Sequence, residues 1–464
     1  MERTLIKDLK NKKNEEVSVS GWVDVRRDQG KLIFLDIRDV SGKVQSVVLP
    51  NAEAMETAKS LRSEWVVEIK GKVNERPEKN RNSEEDNGDI ELEVLSIHVL
   101  NKAETPAIDV SSDGREIGDE HRLEYRYLDL RRPRMQKNIK MRHKVAKLVR
   151  DFLDNEKFLE IETPYLTKST PEGARDYIVP ARLYPGNFYA LPQSPQQYKQ
   201  LLMVSGVERY FQIVRCMRDE DTRGDRQPEF TQLDVEMSFV SREDVMALNE
   251  KLLIEIIEKL YPEKKIQEIP FPRISYKEAM DQYGTDRPDI RTDKDDPDLL
   301  AFCWIVDFPF FEKVEGGKGK WAFTHNPFSA AAPEHANNLK NKENVGEIVA
   351  AQYDIVLNGY EIGGGSIRNH DPESLKSVFE ILGYSEEEIN NNFGHMLKAL
   401  SSGAPPHGGI AWGFDRLMMI LQGEPNIREV IAFPKTGEGK DLMMNAPSGI
   451  SEEQLKELRL KIVK

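Results

Sequence analysis

FQIVRCMRDEDTRGDRQPEFTQLDVEMSF, residues 211–239, reads as two strand-like runs flanking a loop that carries Arg, Asp and Glu in close succession. A strand, a charged loop and a second strand aim those charges at one place. Phosphate chemistry gives a reason for the residue types: a guanidinium grips phosphate oxygens in a fork, and an aromatic further along can stack on a base. Arg218 and Phe230 fit these two roles. A solvated hairpin tip would explain any single arginine equally well, so the weight rests on what the rest of the chain brings beside it.

Two further segments carry similar chemistry. In QYDIVLNGYEIGGGSIR, residues 352–368, Asp354 and Glu361 bracket an apolar stretch ahead of three glycines and Arg368. Two carboxylates beside a phosphate site can share Mg²⁺, a hard cation that prefers oxygen ligands. The glycines would let a ligand lie against backbone, although a tight connection between strands also explains them. In PHGGIAWGFDRLMMIL, residues 406–421, a Gly-bounded strand leads into an apolar helix with Arg416 in its first turn. An arginine buried there needs an anion.

At 464 residues the chain suits two or three domains, each with its own core. A formal charge of −14 argues against a general nucleic-acid coater, because non-specific affinity comes from neutralising phosphates with Lys and Arg. Only Cys216 and Cys303 occur, without paired spacing, so neither a disulfide framework nor a thiolate metal site is expected. The N-terminus lacks the apolar stretch of a signal peptide, and no apolar run is long enough to cross a bilayer. The expected location is the cytoplasm.

From Val17 to Leu100 short alternating runs predict five strands and a small barrel, with residues 1–104 as the first domain. Between the fourth and fifth runs, NERPEKNRNSEEDNG predicts an exposed loop. Residues 101–122 are poor in apolar side chains, and 105–134 are expected to be a linker or hinge. The remainder, 135–464, is expected to be a sheet flanked by helices. A long amphipathic helix is predicted over Met135–Lys157, with further helices around 243–260, 344–352 and 372–400. Ser451, three residues ahead of Gln454, predicts a last capped helix carrying Leu455, Leu458 and Ile462.

Strand phase also singles out a face of the barrel. In LIFLDIRD, Ile33, Leu35 and Ile37 share one side, so Phe34 points away from them with Asp36 and Arg38. An outward aromatic among polar groups suits the stacking of single-stranded bases. Gln45 and Glu91 are out of phase with their apolar neighbours in the same way, and Arg26 and Arg27 could supply phosphate contacts.

Together these residues resemble the class II aminoacyl-tRNA synthetases. The segments around Arg218 and Arg416 are very similar to that class's motifs two and three, and FLEIETPYL, with Pro164, is similar to motif one. TPEGARDY, ALPQSPQQYKQLL, NGYEIGGGSIR and GGIAWGFDRL look like the aspartyl family in its bacterial form, and GWVDVRRDQGKLIFLDIRD resembles that family's anticodon-binding OB-fold. The resemblance implies an α+β protein, an N-terminal OB-fold barrel followed by a class II catalytic domain built on an antiparallel sheet flanked by helices. It also implies a two-step reaction in which L-aspartate and ATP form an adenylate and pyrophosphate, and the aspartyl group then passes to tRNA(Asp) with release of AMP.

The roles carried over by motif are these. Arg218 holds the α-phosphate, Glu220 and Gln227 contact the nucleotide, Phe230 lies under adenine, and Gly413, Phe414, Asp415 and Arg416 complete the ATP site. Arg218, Glu361 and Arg416 are the catalytic set, with Asp354 and Glu361 taking Mg²⁺. Lys199 and Arg368 match the clamp on the aspartate side chain, Glu172, Ser194, Gln196 and Asp234 match the ammonium end, and His325 is a further substrate contact. A neutral amide would leave the two clamp cations without an anion, an expected discrimination of about 10⁴ against asparagine. In the barrel, Arg26, Arg27, Gln29, Phe34, Gln45 and Glu91 are the implied anticodon contacts. A homodimer is implied, with the motif-one helix and Pro164 at its interface.

Three departures from the bacterial pattern stand out. The domain-sized insertion is missing near residues 285–302, Asn326 follows His325 where two histidines are usual, and Gln29 matches neither familiar state of a position tied to tRNA(Asn) use. Mischarging of tRNA(Asn) therefore stays open. The rivals are an asparaginyl or lysyl relative, a catalytically silent paralogue that binds RNA through the barrel, and an enzyme like asparagine synthetase. Lys199 and Arg368 favour a carboxylate side chain, and a silent paralogue would have no use for Arg218 or Arg416.

Overall fold

The computed structural model describes residues 2–169, 172–314 and 320–463, so Thr170 and Pro171 of the TPEGARDY segment lie outside it. The chain divides into two compact units, Met1–Arg132 and Pro133–Lys464.

In the first unit, strands β1 (Glu16–Asp28), β2 (Ile33–Asp39), β3 (Gly42–Val48), β4 (Val66–Glu75) and β5 (Ile90–Asn101) close into a barrel in the order β1-β2-β3-β5-β4. Period-two alternation builds it: Val19, Val23, Ile33, Leu35, Ile37, Val44, Ile69, Val73 and Leu92 are buried in one core, while their strand neighbours face outward. The stretch expected as a linker contributes two short helices, Asp119–Glu124 and Arg126–Asp129. Buried Asp129 gathers Arg122, Arg126 and Arg132 at 2.6–2.9 Å. Burial alone would raise its pKa, and the three guanidinium groups outweigh that and hold it down.

The second unit is built on an eight-stranded sheet. In chain order its strands are β6 (Leu159–Glu160), β7 (Arg209–Met217), β8 (Glu229–Ser238), β9 (Arg273–Ser275), β10 (Phe302–Val306), β11 (Gln352–Leu357), β12 (Tyr360–Ile367) and β13 (His407–Gly413). Their order across the sheet is β9-β10-β11-β12-β13-β8-β7-β6, antiparallel except at the two edges.

Helices α1 (Pro133–Asn155), α3 (Arg242–Leu260) and α6 (Phe414–Gln422) cover one face. Val145, Val149 and Phe152 of α1, spaced at helical intervals, pack with Leu233, Val235, Ile355, Ile410 and Trp412 of the sheet. A Ser241–Asp244 capping box starts α3. The short helix α2 (Gln196–Val204) lies on the opposite side and carries polar residues toward the sheet.

Three expectations need correction. Residues 344–352 form no helix beyond one 3₁₀ turn, Val345–Glu347, because Asn344 is left-handed and the apolar residues that follow feed β11. The 372–400 pattern is two helices, α4 (Pro372–Ile381) and α5 (Glu386–Leu400), separated at Gly383 (φ 88°) and restarted by a Ser385 capping box. The final helix, α7 (Glu452–Leu458), is capped by Ser451 as expected but stops at left-handed Arg459, leaving Ile462 66% exposed.

Candidate functional site

Alternation along the central strands sorts the catalytic unit's charges. In β8, Leu233, Val235 and Met237 enter the core, so Gln232, Asp234 and Glu236 must face the other way. Register then lines them up with neighbours: Asp234 pairs with Ala411, Ala411 with Gly364 and Gly364 with Asp354, while Glu236 pairs with Gly409 and Gly409 with Ser366. Small residues thus floor the middle of the sheet, with acids on both sides. A Cβ on Gly409 would lie 2.2 Å from a Glu236 carboxylate oxygen, so that glycine makes room for the acid.

Residues expected to hold aspartate meet in a cavity of about 240 Å³ whose lining includes Ser194, Gln196, Lys199, Asp234, His325 and Arg368. Lys199, fully buried on α2, places Nζ 2.5 Å from Asp234 and 3.2 Å from Glu236. Arg368 donates through Nε and Nη2 to the two Glu236 oxygens at 2.9 and 3.1 Å, and through Nη1 to Ser366 Oγ at 2.8 Å. Burial would push Glu236 up, but Arg368 and Lys199 prevail and hold it at about 2. Burial raises Asp234, against the pull of Lys199. Ser194 Oγ donates to Glu172 at 2.6 Å, joining two residues expected at the ammonium end.

Two buried cations therefore already face two buried anions, which corrects the expected basis of selectivity. Asparagine would not strand an unpaired charge. What such a clamp would offer a side chain is polarity: every remaining hydrogen on Lys199 and Arg368 is a donor, which a carboxylate could accept on both oxygens. An amide would set its own NH₂ against one of them.

Residues expected to hold the nucleotide meet in an adjoining cavity of about 170 Å³ lined by Arg218, Glu220, Gln227, Phe230, Glu361, Gly413 and Arg416, among others. Arg218 and Glu361 line both cavities, at the junction where a carboxylate and an α-phosphate would meet. The Arg218 guanidinium lies 5.1 Å from the centroid of Phe230. Glu220 pairs with Arg226 at 3.0 Å. Gln227 accepts from the Lys435 backbone at 2.8 Å and leaves a buried Nε2 without a partner.

Arg416 is not buried as expected. Its side chain is 22% exposed, pairs with Asp225 at 3.1 Å and donates to the Glu361 carbonyl. Phe414 points into the core, and buried Asp415 accepts from Thr231 N at 2.7 Å and pairs with Arg142 at 2.5 Å. Their side chains hold α6 in place.

Asp354 and Glu361 approach one another around Gly364, where an added Cβ would sit 2.8 and 3.6 Å from their oxygens. Burial, then the Glu361 charge, raises Asp354 well above the usual carboxylate range. The other two glycines serve the protein itself: a Cβ on Gly363 would press Trp412 at 3.0 Å, and one on Gly365 would strike the Gly409 carbonyl at 2.2 Å. All three line the cavities even so, Gly363 the smaller one and Gly364 and Gly365 the larger. His325 lies edge-on to Phe308 at 4.6 Å, and its pKa is lowered by burial against the pull of Glu361. Asn326 accepts from the Phe328 backbone at 2.8 Å in a local turn.

On the barrel, Phe34 pairs with Arg27 and Asp36 with Gln45, giving one outward patch. Arg27 holds Asp36 bidentately at 2.9 and 3.0 Å. Arg26 pairs with inward-facing Leu35, so it falls on the opposite face, where it donates to the Lys59 carbonyl at 3.0 Å. Gln29 is exposed in the β1–β2 turn, and half-buried Glu91 has its pKa raised by burial.

Sequence reasoning missed Glu236, the anion that both clamp cations share. Its signal was available, since Asp234 and Glu236 alternate with Leu233, Val235 and Met237.

A barrel with a polar aromatic patch and an antiparallel sheet holding two joined cavities define a class II tRNA synthetase. Residues 118–437 match the family of tRNA synthetases class II (D, K and N), and residues 17–100 match the OB-fold nucleic acid binding domain. Within that class the chain belongs to the aspartate–tRNA ligase family. It is 42% identical to the aspartate–tRNA(Asp/Asn) ligase of Thermoanaerobacter sp. (strain X514), over 96% of this chain and 95% of that one. It is 40% identical to the aspartate–tRNA(Asp) ligase of Deinococcus radiodurans, over 97% and 96%. The first alignment spans 572 positions against 464 residues here, so over a hundred of them face a gap in this chain, in keeping with a lost insertion. In fold it is similar to the asparaginyl-tRNA synthetase of Pyrococcus horikoshii (TM-score 0.76, 23% identity, 94% of this chain and 98% of that one).

Proposed function

We propose that this chain is an ATP-dependent ligase that joins L-aspartate to tRNA(Asp) through aspartyl-adenylate. The observation that carries the reading is the pair of cavities meeting at Arg218 and Glu361, one presenting Lys199 and Arg368 as donors and the other Phe230 and Arg416. The aspartate α-carboxylate attacks the α-phosphorus of ATP, pyrophosphate leaves, and the terminal tRNA hydroxyl then displaces AMP from the acyl carbon. No protein nucleophile is required: the residues act by positioning and by offsetting charge. Arg218 would hold the α-phosphate, Phe230 would stack on adenine, Arg416 would meet the outer phosphates, and Gln227 has an unpartnered donor on that side. Glu172, Ser194, Gln196 and Asp234 would hold the ammonium group, with His325 above the substrate.

Asp354 and Glu361 fit Mg²⁺, since two close carboxylates without an ion-pair partner among the described residues repel until a cation joins them. That ion, when bound, offsets charge on the triphosphate and on departing pyrophosphate. In the barrel, Phe34, Arg27, Gln45 and Glu91 would read the anticodon loop, with Gln29 at the edge and Arg26 on the far face.

The names of several relatives at 41–42% identity support tRNA(Asn) as a second acceptor. A homodimer is supported by Leu159, Tyr165 and Leu166, exposed on either side of Pro164. The cytoplasm is supported by two buried, unpaired cysteines. Among the described residues no helix is long and apolar enough to cross a membrane. Aminoacylation of separate tRNA(Asp) and tRNA(Asn) transcripts tests the reading: tRNA(Asp) must accept aspartate, and failure with both transcripts would overturn it. Charging of tRNA(Asn) decides the second acceptor.

A further inference from the structure

Beneath the larger cavity a buried chain of hydrogen bonds runs from Gln196 through two residues, Gln200 and His407, that none of the roles above uses. Gln196 Nε2 donates to Gln200 Oε1 at 3.0 Å, Gln200 Nε2 lies 3.2 Å from His407 Nε2, and His407 Nδ1 lies 2.8 Å from the Pro405 carbonyl. Gln200 and His407 are fully buried.

The direction of the chain follows from its far end. A backbone carbonyl can only accept, so His407 Nδ1 carries the hydrogen. Burial lowers the imidazole's pKa and so favours the neutral ring, against the pull of Glu236. Its Nε2 is therefore an acceptor, and Gln200 must turn its NH₂ toward it. That leaves Gln200 Oε1 to accept from Gln196, so Gln196 is held by its own NH₂. Gln196 lines the cavity, and with its NH₂ anchored on Gln200 the acceptor Oε1 is the amide atom left without a partner in that chain.

We propose that Gln200 and His407 are positioning residues that fix the amide of Gln196 so that its carbonyl oxygen faces the substrate's ammonium group. The inference rests on the reading that this cavity takes aspartate. An unanchored Gln196 could rotate its amide and present NH₂ to a cation, which would repel it. Lys199 and Arg368 select the side chain through donors, and this chain supplies the acceptor that the opposite charge needs. The pocket's polarity is thereby set from a backbone carbonyl through three side chains.

The test is aspartate-dependent ATP–pyrophosphate exchange on the full chain, with KM determined separately for aspartate and ATP. Exchange by the unaltered protein is the first requirement, and its absence would fail the aspartate reading rather than this one. Gln200→Met keeps the volume and removes both hydrogen bonds; it should raise the KM for aspartate about tenfold and leave that for ATP within about twofold. Gln200→Glu retains an acceptor for Gln196 and should hold the aspartate KM within about threefold of the parent. If Gln200→Met does not fold, His407→Phe removes the acceptor at the far end and should give the same selective rise. An unchanged aspartate KM, an equal rise for both substrates, or a Gln200→Glu variant as impaired as Gln200→Met would each overturn the proposal.

Discussion

The two ends of the catalytic cavity treat buried charge in opposite ways. At the aspartate end, Lys199 and Arg368 are matched by Asp234 and Glu236 at 2.5–3.2 Å, so the protein arrives already neutralised. Where that cavity meets its neighbour at Glu361, Asp354 and Glu361 crowd together around Gly364 without such a match. The difference teaches what each end is for. A paired cluster is rigid and discriminates by where its remaining donors point. An unpaired carboxylate couple would gain from a cation that arrived with ATP.

The harshest way to break this comparison is Arg368→Ala. It removes a clamp donor and leaves buried, charged Glu236 with Lys199 alone, so aspartate-dependent exchange should fall by a factor of about 10³ or more, with about 3 kcal/mol lost from folding stability. ATP binding, followed by calorimetry, should persist; equal loss of both would erase the distinction between the ends. Phe230→Ala acts on the other end. The KM for ATP should rise by about 30-fold, from lost stacking, while that for aspartate stays put.

Phe34→Ala lies in the other unit and should raise the KM for tRNA by about tenfold without altering exchange. Any effect of that change on exchange would contradict the separation of barrel and catalytic roles.

The smallest expected effect sharpens the comparison by stability. Asp354 has a raised folded pKa, so its stabilising contribution is present below its unfolded value near 3.8 and is lost as pH rises through the folded value. Asp354→Asn should therefore raise metal-free stability by about 1 kcal/mol at neutral pH. The gain should vanish in acid, where the parent carboxyl is protonated in the fold as well. Glu236 behaves oppositely: held at about 2, it contributes stability above its unfolded value of 4.5 that is lost as pH falls toward 2. Thermal melts across pH check both signs.

Much of this architecture was legible before any coordinates. Alternation placed the barrel strands and put Phe34 outside, and the capping residue Ser451 stands where the last helix begins. Motif spacing brought Arg218, Glu361 and Arg416 to one cavity. What the sequence hid depends on contacts between distant strands. Glu236 meets Arg368 only because β8 and β12 flank β13, whose Gly409 leaves space for the carboxylate. The same applies to Asp415, a helix-opening residue whose side chain turned inward to Arg142 and Thr231. Residues 344–352 misled because a short apolar run fits a strand as well as a helix, and the left-handed Asn344 decides the matter.

The central claim, that donors on Lys199 and Arg368 make this an aspartate enzyme, is tested most directly by ATP–pyrophosphate exchange with aspartate and asparagine compared on the same preparation. The account predicts exchange with aspartate, and with asparagine a kcat/KM lower by a factor of about 10³ or more. Exchange supported by asparagine and not by aspartate would contradict it.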